Sequence, residues 1–498
     1  MSAATLFRPA AEGRRTIVAA ALLATYLQAA AISLPNAALL HIQGSLSMAD
    51  DEAGWIFSAY IAASLVTMPM ARWLAGRFGQ KAVFQLSLVV FAIGLVLATL
   101  ATTSLQFVAA RILQGGASGP IAPLALAILL DMVPAPRHPR ISLAWTVTLV
   151  LGIVSGPSLG GWVCEEYGWP AVFHFSLLLA GFSLLAMTLS LPETRAGQVP
   201  PLDLFGLATF SLGIIGLQIL LDRGERVEWF LSIESRVEAA ASALGFALYL
   251  VHLLTSRAHF LDKALFRDRN FVLSTVLFFG FGFVLLPTMA LTSPMLDELL
   301  GYPADTTGLM AAPRGIALVG ALILTLRAPA RIDARLLVLG GIALVVYATW
   351  RMLGYSPGMD WRPVVVAGAL QGAGLGILMP ALTRTAFSTL DPALRPEGTV
   401  LFNLSRLYGS TIGIALVQTF FHQNTQAMHL ALAKSLVPGR AGAHVADEVS
   451  GPGLAALNHL VTGQAAFVGI LGQFKLVMIV MLIVAPLALF LRRPRPAG

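Results

Sequence analysis

Charged residues are scarce in this sequence. Asp, Glu, Lys and Arg make up 11% of its 498 residues, whereas a soluble domain usually contains about 25%. Hydrophobic residues reach 57%, and the mean hydropathy is +0.79. Because a globule this poor in charge could not cover its own surface with polar groups, the composition excludes an ordinary soluble protein and indicates a chain that contacts lipid.

Several function classes lack the residues they require. Cys164 is the single cysteine, which excludes an intrachain disulfide framework, and no Cys/His cluster has zinc spacing. The basic residues form no patch among aromatics, so we predict no nucleic-acid binding. Neither G-x-S-x-G, H-E-x-x-H nor the phosphate-binding G-x-x-x-x-G-K-[ST] occurs. We therefore predict neither an enzyme nor an ATP-driven pump.

Long apolar runs dominate what is present. A helix needs roughly 20 mostly apolar residues to cross a bilayer, and fourteen such segments can be identified. The predicted spans are 16–40, 53–72, 82–101, 105–130, 141–163, 170–191, 204–221, 237–256, 270–296, 306–326, 335–353, 363–384, 399–421 and 473–491.

The basic residues between these spans predict the orientation. If both termini are cytoplasmic, 21 of the 32 Lys and Arg residues fall on the cytoplasmic side and seven fall outside. Cytoplasmic loops are enriched in Lys and Arg in membrane proteins. We therefore predict a multi-pass protein of the cytoplasmic (inner) membrane with both termini in the cytoplasm.

Spans 4 and 12 carry similar segments. Each begins with Gln-Gly, at Gln114 and Gln371, and each has a proline nine residues after the glutamine. A parallel repeat of spans 1–6 in spans 9–14 would pair these two spans. The predicted units are a six-helix bundle over 1–200, two inserted helices over 201–260, and a second bundle over 261–498. An extracytoplasmic loop at about 422–471 is expected either to dock a partner or to form an ordered cap.

Two spans carry motif-like spacing. Gly152, Gly156 and Gly160 recur every four residues in span 5, and this spacing gives a flat face for close helix packing. Arg111 and Gln114 share one face of span 4. A guanidinium inside a span costs at least about 2.5 kcal/mol, so Arg111 is expected to have a role.

These residues resemble the major facilitator superfamily, specifically its fourteen-span drug:proton antiporter branch, the EmrB/QacA type. Residues 111–115 match the span-4 motif R-x-x-Q-G, residues 152–161 match the antiporter motif G-x-x-x-G-P-x-x-G-G, and residues 36–44 are similar to N-V-A-L-P-H-I-Q-G. Shorter stretches at 221–230 and 402–406 also resemble this type. The matching transport-motif residues are Arg111, Gln114, Gly115, Gly119, Gly152, Gly156, Pro157, Gly160 and Gly161.

The resemblance implies an all-α integral membrane protein with the major facilitator fold, built from two six-helix bundles plus two inserted helices. It further implies export of hydrophobic compounds by alternating access, with a proton gradient as the energy source and no cofactor. A periplasmic membrane-fusion protein and an outer-membrane channel are implied as partners if the source has two membranes. The alternatives are a dedicated exporter of one metabolite or weak acid with atypical proton coupling, an importer, and a sensor that does not transport.

Three departures from the family pattern affect function. The loop between spans 2 and 3 keeps Arg77, Gly79 and Lys81 as expected gating residues but lacks the family's first glycine and its acid. Gly472 stands where an acid is usual near span 14. Ala31 stands where the family has a span-1 aspartate that usually couples protons.

Proton coupling must therefore use another group. No carboxylate is placed in mid-membrane, so the candidates are acids at span ends, and we favour Asp222 among them. The other candidates are Asp131, Glu238, Asp297, Glu298, His174 and His252. A substrate that carries its own proton is a further alternative.

Three arginines inside spans predict the sign of the cavity. If Arg111, Arg314 and Arg406 face it, with Asn403 nearby, the cavity is positive and favours lipophilic weak acids or neutral amphiphiles over cations. The alternative is that Arg111 and Arg406 hold structure.

Overall fold

A computed structural model describes residues 11–36, 38–49, 52, 54–192, 202–224, 229–256, 261–328, 332–391, 394–435 and 451–492. Within these ranges the regular structure is helical throughout and contains no strand. The sequence-based prediction of an all-α protein is confirmed. This outcome follows from apolar runs that satisfy every backbone group internally, as a bilayer requires.

Seventeen α-helices are present in the described part of the chain. The first nine are α1 Ala11–Ser33, α2 Leu39–Leu46, α3 Trp55–Thr67, α4 Ala71–Phe78, α5 Gln80–Thr99, α6 Ser104–Ser118, α7 Ile121–Asp131, α8 His138–Tyr167 and α9 Trp169–Ser190. The others are α10 Leu204–Arg223, α11 Ile233–Thr255, α12 Arg269–Pro294, α13 Ala304–Arg327, α14 Ala334–Met352, α15 Arg362–Ser388, α16 Arg395–Ser435 and α17 Gly451–Val484.

Thirteen helical segments of the described chain are long and apolar enough to cross a membrane. The fourteenth predicted span is interrupted, because α3 passes through a 3₁₀ turn at Met68–Met70 before α4 begins. Pro69 lies in that turn and lacks the N–H that an uninterrupted helix would need. Counted as one span, α3 and α4 complete the predicted fourteen.

The helices pack as two large groups and one pair. In the first group α1 packs on α8 and α9, and α3 packs on α6; in the second, α12 packs on α16, and α13 and α14 pack on α15. Helices α10 and α11 pack mainly on each other, and α10 also touches α3 and α16. The predicted boundaries near residues 200 and 260 fall in segments outside the described residues, so the exact division stays a prediction.

The two groups meet at one end of the helices, which we call the outer end because the charge pattern predicts that it faces outward. The Asn36 side-chain amide donates to the Met289 carbonyl at 3.1 Å. Nearby, the Ser158 hydroxyl donates to the Gly308 carbonyl at 2.6 Å. Helix α8 also packs along α13. These contacts close the space between the groups at the outer end.

The predicted loop at about 422–471 needs correction. Helix α16 continues to Ser435 and α17 begins at Gly451, so the described parts of this segment are helical. Neither glycine nor proline interrupts residues 422–435, which lets α16 continue. Its 41 residues span about 60 Å, roughly twice the hydrocarbon core of a bilayer. The side of the membrane on which the segment lies stays a prediction.

Candidate functional site

A cavity lies between the two helix groups beneath the outer-end contacts. Asn36 and Pro157 line it from the first group, and α12, α13 and α15 line it from the second. Most of its wall is apolar, with Leu285, Met289 and Met310 as examples. Such walls suit an apolar ligand held by a few polar groups.

A second, narrower cavity adjoins the first. Val154, Leu285 and Leu318 line both cavities, so the two spaces share a wall. Arg314 lies in the lining of the first cavity and Arg406 in that of the second. The described lining residues of the two cavities include no Asp or Glu. The expectation that Arg314 and Arg406 face the cavity therefore agrees with their positions.

Arg111 lies elsewhere, inside the first helix group. Its Nε donates to the Ile56 carbonyl at 2.8 Å, its Nη1 to Gln114 Oε1 at 2.8 Å, and its Nη2 to the Ala31 carbonyl at 2.9 Å. The guanidinium also lies 4.5 Å from the centre of the Tyr60 ring. Arg111 is fully buried, and its polar contacts are neutral. It is absent from the lining of both cavities, contrary to the expected cavity position.

This geometry explains the consequence of Ala31. The residue expected at the position of the family's aspartate does lie against the span-4 arginine, but it offers only a backbone oxygen. A neutral dipole replaces a titratable carboxylate at this point, so Arg111 keeps its neighbours at any physiological pH.

Arg314 and Arg406 are less well satisfied than Arg111. Arg314 Nη2 donates to the Leu285 carbonyl at 3.0 Å, but its Nε has no hydrogen-bond partner among the described protein atoms. Arg406 Nε and Nη1 likewise lack partners there. Both side chains are more than nine-tenths buried. An unpaired buried donor is costly, so these groups have capacity for a ligand.

Tyr355, which the sequence reasoning missed, also lines the first cavity. It lies in the loop after α14, where burial raises the pKa of its phenol above the usual range. The hydroxyl therefore stays protonated, and it has no hydrogen-bond partner among the described residues. Its loop position, outside any motif, gave no signal for a site residue.

The similar segments of spans 4 and 12 occupy equivalent environments. A β-carbon at Gly115 would collide with the backbone of Tyr60 in span 2, and one at Gly372 would collide with the backbone of Arg314 in span 10. The Gln114 amide reaches Gly94 in span 3, and the Gln371 amide reaches Thr349 in span 11. The contacts of the two segments support the predicted repeat.

The glycines of span 5 provide a packing face, as their spacing predicts. A β-carbon at Gly152 would lie 2.5 Å from the Tyr26 carbonyl oxygen, and at Gly156 or Gly160 it would collide with the end of span 1. Pro157 lines the first cavity, and Gly161 is buried. In span 4, Gly119 packs equally closely on span 2. The face holds the first helix group together beside the cavity.

Asp297 is the candidate acid that lies beside the first cavity. Its carboxylate accepts a hydrogen bond from the Thr307 hydroxyl, and both Thr307 and the adjacent Leu296 line the cavity. His41 and Glu165 of the first group lie within electrostatic range. Asp297 therefore stands at the roof of the cavity, where the two groups meet.

The other proton candidates lie away from the cavities. Asp222 accepts two hydrogen bonds from Gln218 at 2.8 and 2.9 Å and lies near Ser58, on the face of α10 that meets α3. His174 is on the exposed face of α9. Glu238 pairs with Arg223 at 3.6 Å. None of these four acidic or imidazole side chains lines a described cavity, so the preference for Asp222 loses support.

Several remaining candidates have structural contacts. Asp131 accepts a hydrogen bond from Gln80 at 3.2 Å. Asn403 donates to the Thr399 carbonyl one turn earlier at 2.9 Å, and it does not line a described cavity. His252 lies 2.8 Å from Asp203, a pair missed in the sequence because its members are on different inserted helices. Glu298 follows Asp297 in a π-helical turn, Met295–Leu299.

The expected gating loop forms a tight corner. Gly79 has φ 91°, which disfavours a side chain, and separates α4 from α5. Arg77 is exposed, and Lys81 donates to the Thr188 carbonyl at 3.2 Å. The corner keeps its shape although the family's acid is absent.

Comparison with known proteins agrees with this architecture. Residues 21–414 match the family model described as Major Facilitator Superfamily. The multidrug export protein EmrB of Escherichia coli (strain K12) is 30% identical over 429 residues, which cover 84% of this chain and 82% of that protein. The fatty acid resistance protein FarB of Neisseria gonorrhoeae is 27% identical and covers 96% of each chain.

Solved structures show the same fold. An auto-inhibited POT family peptide transporter superposes with a TM-score of 0.68 at 15% identity, covering 97% of this chain and 98% of that one. A bacterial homologue of the lysosomal transporter Spinster gives 0.61 at 16% identity, covering 97% of each. The fold and the closed helix interface define a membrane transporter. The chain belongs to the major facilitator superfamily, as the sequence motifs predicted.

Proposed function

We propose that this protein exports hydrophobic toxic compounds or drugs across the cytoplasmic membrane as a secondary transporter driven by proton antiport. The observation that carries the proposal is the largely apolar cavity between two helix groups that are closed at the outer end. The antiporter-type glycine face beside that cavity supports it. So does the similarity to EmrB, whose name describes multidrug export.

Alternating access follows from the arrangement of the contacts. The outer end is held by the Asn36–Met289 and Ser158–Gly308 hydrogen bonds, which are few and lie between groups that are each well packed internally. Breaking these contacts would let the groups rock about the cavity, as repeat-built transporters do. A bound compound would then face the opposite side of the membrane.

Asp297 carries the coupled proton in this proposal. Its carboxylate adjoins the cavity roof and lies near Glu165 of the other group. Two ionised carboxylates across the interface repel each other and favour an open outer end, whereas protonation removes that repulsion and favours closure. A proton bound from outside would therefore return the transporter to its starting state.

Inverted membrane vesicles test the function. With the interior acidified, vesicles that contain the protein should accumulate fluorescent hydrophobic compounds, and collapse of the pH gradient with nigericin should abolish accumulation. Vesicles without the protein give the background. If no compound of a chemically varied panel accumulates above that background, the proposed export function is wrong.

The Asp297→Asn variant tests the proton site. It should reduce gradient-driven accumulation to background, because the amide cannot exchange a proton, while leaving exchange of compound at equal pH intact. Asp222→Asn and His174→Gln are matched controls that should keep gradient dependence. Loss of coupling in Asp222→Asn with retention in Asp297→Asn would contradict the assignment and restore the sequence-based preference.

The partner proteins implied by the resemblance remain part of the proposal. We infer that the helices extending over 422–435 and 451–471 would be the contact for a periplasmic membrane-fusion protein in a two-membrane cell, since they extend beyond the bilayer thickness. Their predicted outward position supports this assignment. Co-purification of the full chain with such a partner would test it.

A further inference from the structure

Unpartnered hydrogen-bond donors concentrate where the two cavities adjoin. Arg314 Nε, Arg406 Nε, Arg406 Nη1 and the Tyr355 hydroxyl have no partner among the described protein atoms. All three residues line the cavities and are at least nine-tenths buried. The other unpartnered atom of a lining residue, Asn36 Oδ1, is an acceptor. Donors therefore predominate in the lining.

The two guanidinium groups border a common wall. Arg314 donates to the Leu285 carbonyl, and Leu285 lines both cavities together with Val154 and Leu318. Two positive charges therefore lie in adjoining spaces that the described lining does not neutralise with any carboxylate. In a space of low dielectric this arrangement attracts an anion strongly.

Arg111 shows what a purely structural arginine looks like in the same chain. Three of its donors are used within its own helix group, and its ring contact with Tyr60 completes the surroundings. Arg314 and Arg406 have no such set of partners. Since each is buried at similar depth, the difference indicates that their free donors serve a ligand.

We propose that Arg314 and Arg406 form a binding site for the anionic head group of amphipathic organic acids, such as carboxylates or sulfonates with a long apolar tail. The Tyr355 hydroxyl adds a neutral donor. Leu285, Met310 and Leu318 supply the apolar surface that holds the tail. This inference rests on the proposed export function and names the substrate class that its cavity prefers.

Binding of chain-matched detergent-like probes to the purified full chain tests the site. The probes are decanesulfonate, decanol and decyltrimethylammonium, which share a tail and differ in head-group charge. Decanesulfonate stays ionised throughout the working pH range, so its binding reports charge and not proton uptake. Calorimetry in a non-ionic detergent measures each Kd without requiring transport.

We expect decanesulfonate to bind at least tenfold more tightly than decyltrimethylammonium. Arg314→Gln and Arg406→Gln should each weaken its binding by about 10- to 100-fold, as expected for loss of a charged hydrogen bond. Decanol binding should change little in either variant. Arg351→Gln removes an exposed arginine and should leave decanesulfonate binding unchanged, which controls for net charge.

Each opposing outcome has a definite meaning. Equal or tighter binding of the cation to the unaltered protein would overturn the proposal, and this comparison does not depend on any variant folding. Uniform weakening of all three probes in the arginine variants would show a structural role instead. Vesicle transport is scored separately: flux of neutral compounds and cations without anion preference would refute this inference while leaving the export function standing.

Discussion

At the scale of single residues, the position of the charged partner of Arg111 distinguishes this chain from the pattern it resembles. The Ala31 carbonyl occupies a place where a carboxylate would neutralise the guanidinium. The consequence is a permanently charged arginine held by neutral groups, so proton exchange must take place elsewhere. Asp297 at the cavity roof and the free donors of Arg314 and Arg406 become the residues to examine.

Restoring an acid at position 31 tests this reading. Ala31→Asp places a carboxylate next to Arg111, and the ion pair should offset most of the cost of burying the charge. Ala30→Asp is the matched control, because Ala30 is equally buried and packs near Gly152 instead. An unpaired buried charge costs about 3 kcal/mol or more, so Ala30→Asp should lower the melting temperature far more. Equal melting temperatures in the two variants would contradict the reading.

Sequence reasoning succeeded for residues whose role depends on local spacing. The span-5 glycines and the Gln-Gly pairs lie where their periodicity predicted, because helical spacing alone puts such residues on one face. It failed where a role depends on a distant partner. Whether Arg111 or Arg314 lines the cavity is decided by what span 1 and the loop after α14 bring nearby, and no local pattern contains that information.

At the scale of elements, the glycine face of α8 sets how closely spans 1 and 5 approach. A β-carbon at Gly152 would lie 2.5 Å from a backbone oxygen, and backbone cannot move aside as a flexible side chain can. The approach of the two helices therefore depends on the absence of side chains along this face.

Replacement of Gly152 tests the packing role. Gly152→Ala should lower stability by about 1–3 kcal/mol through overpacking, measured as thermal unfolding in detergent. Gly181→Ala is the matched control in α9, where a β-carbon would meet nothing within 4 Å. Helix propensity alone should make that control neutral or slightly stabilising. If the two variants shift the melting temperature alike, the close packing at Gly152 is not important.

Apolar length predicted the elements well but not their ends. Span 2 is split by the turn at Met68–Met70, although its residues are apolar throughout. Conversely, α16 continues past its apolar part to Ser435. Hydropathy reports which residues can lie in lipid, whereas helix ends depend on prolines, glycines and packing partners.

At the scale of the whole molecule, the outer-end contacts define one of the two states that transport requires. Gly308 is central to them: its carbonyl accepts from Ser158, and a β-carbon there would lie 2.9 Å from the Pro157 carbonyl oxygen. A bulky residue at this position cannot fit while the two helix groups touch. Its introduction should therefore favour the state that is open to the outside.

Accessibility of a cavity cysteine measures this shift. In a Cys164→Ala background, Met310→Cys places a thiol in the cavity lining. Adding Gly308→Trp should speed its labelling by an impermeant maleimide in intact cells about tenfold, which corresponds to a shift of ~1.4 kcal/mol in the equilibrium. Gly320→Trp, on an exposed face of the same helix with nothing within 4 Å, should have no effect. Labelling that is equally slow in both would contradict the closed outer end.

The two halves of the molecule also differ in which helix bears a buried positive charge. Relative to Gln114, the arginine at position 111 corresponds to Gly368 in the second half, and the β-carbon of Arg314 lies 3.6 Å from where a Gly368 side chain would begin. The charge has passed to the neighbouring helix, where Arg314 stands in the place that Tyr60 holds in the first half. An alignment of the halves column by column would record a lost arginine, whereas in space the charge is kept. Ancestry of such duplicated transporters is therefore better traced by where charges lie than by which columns encode them.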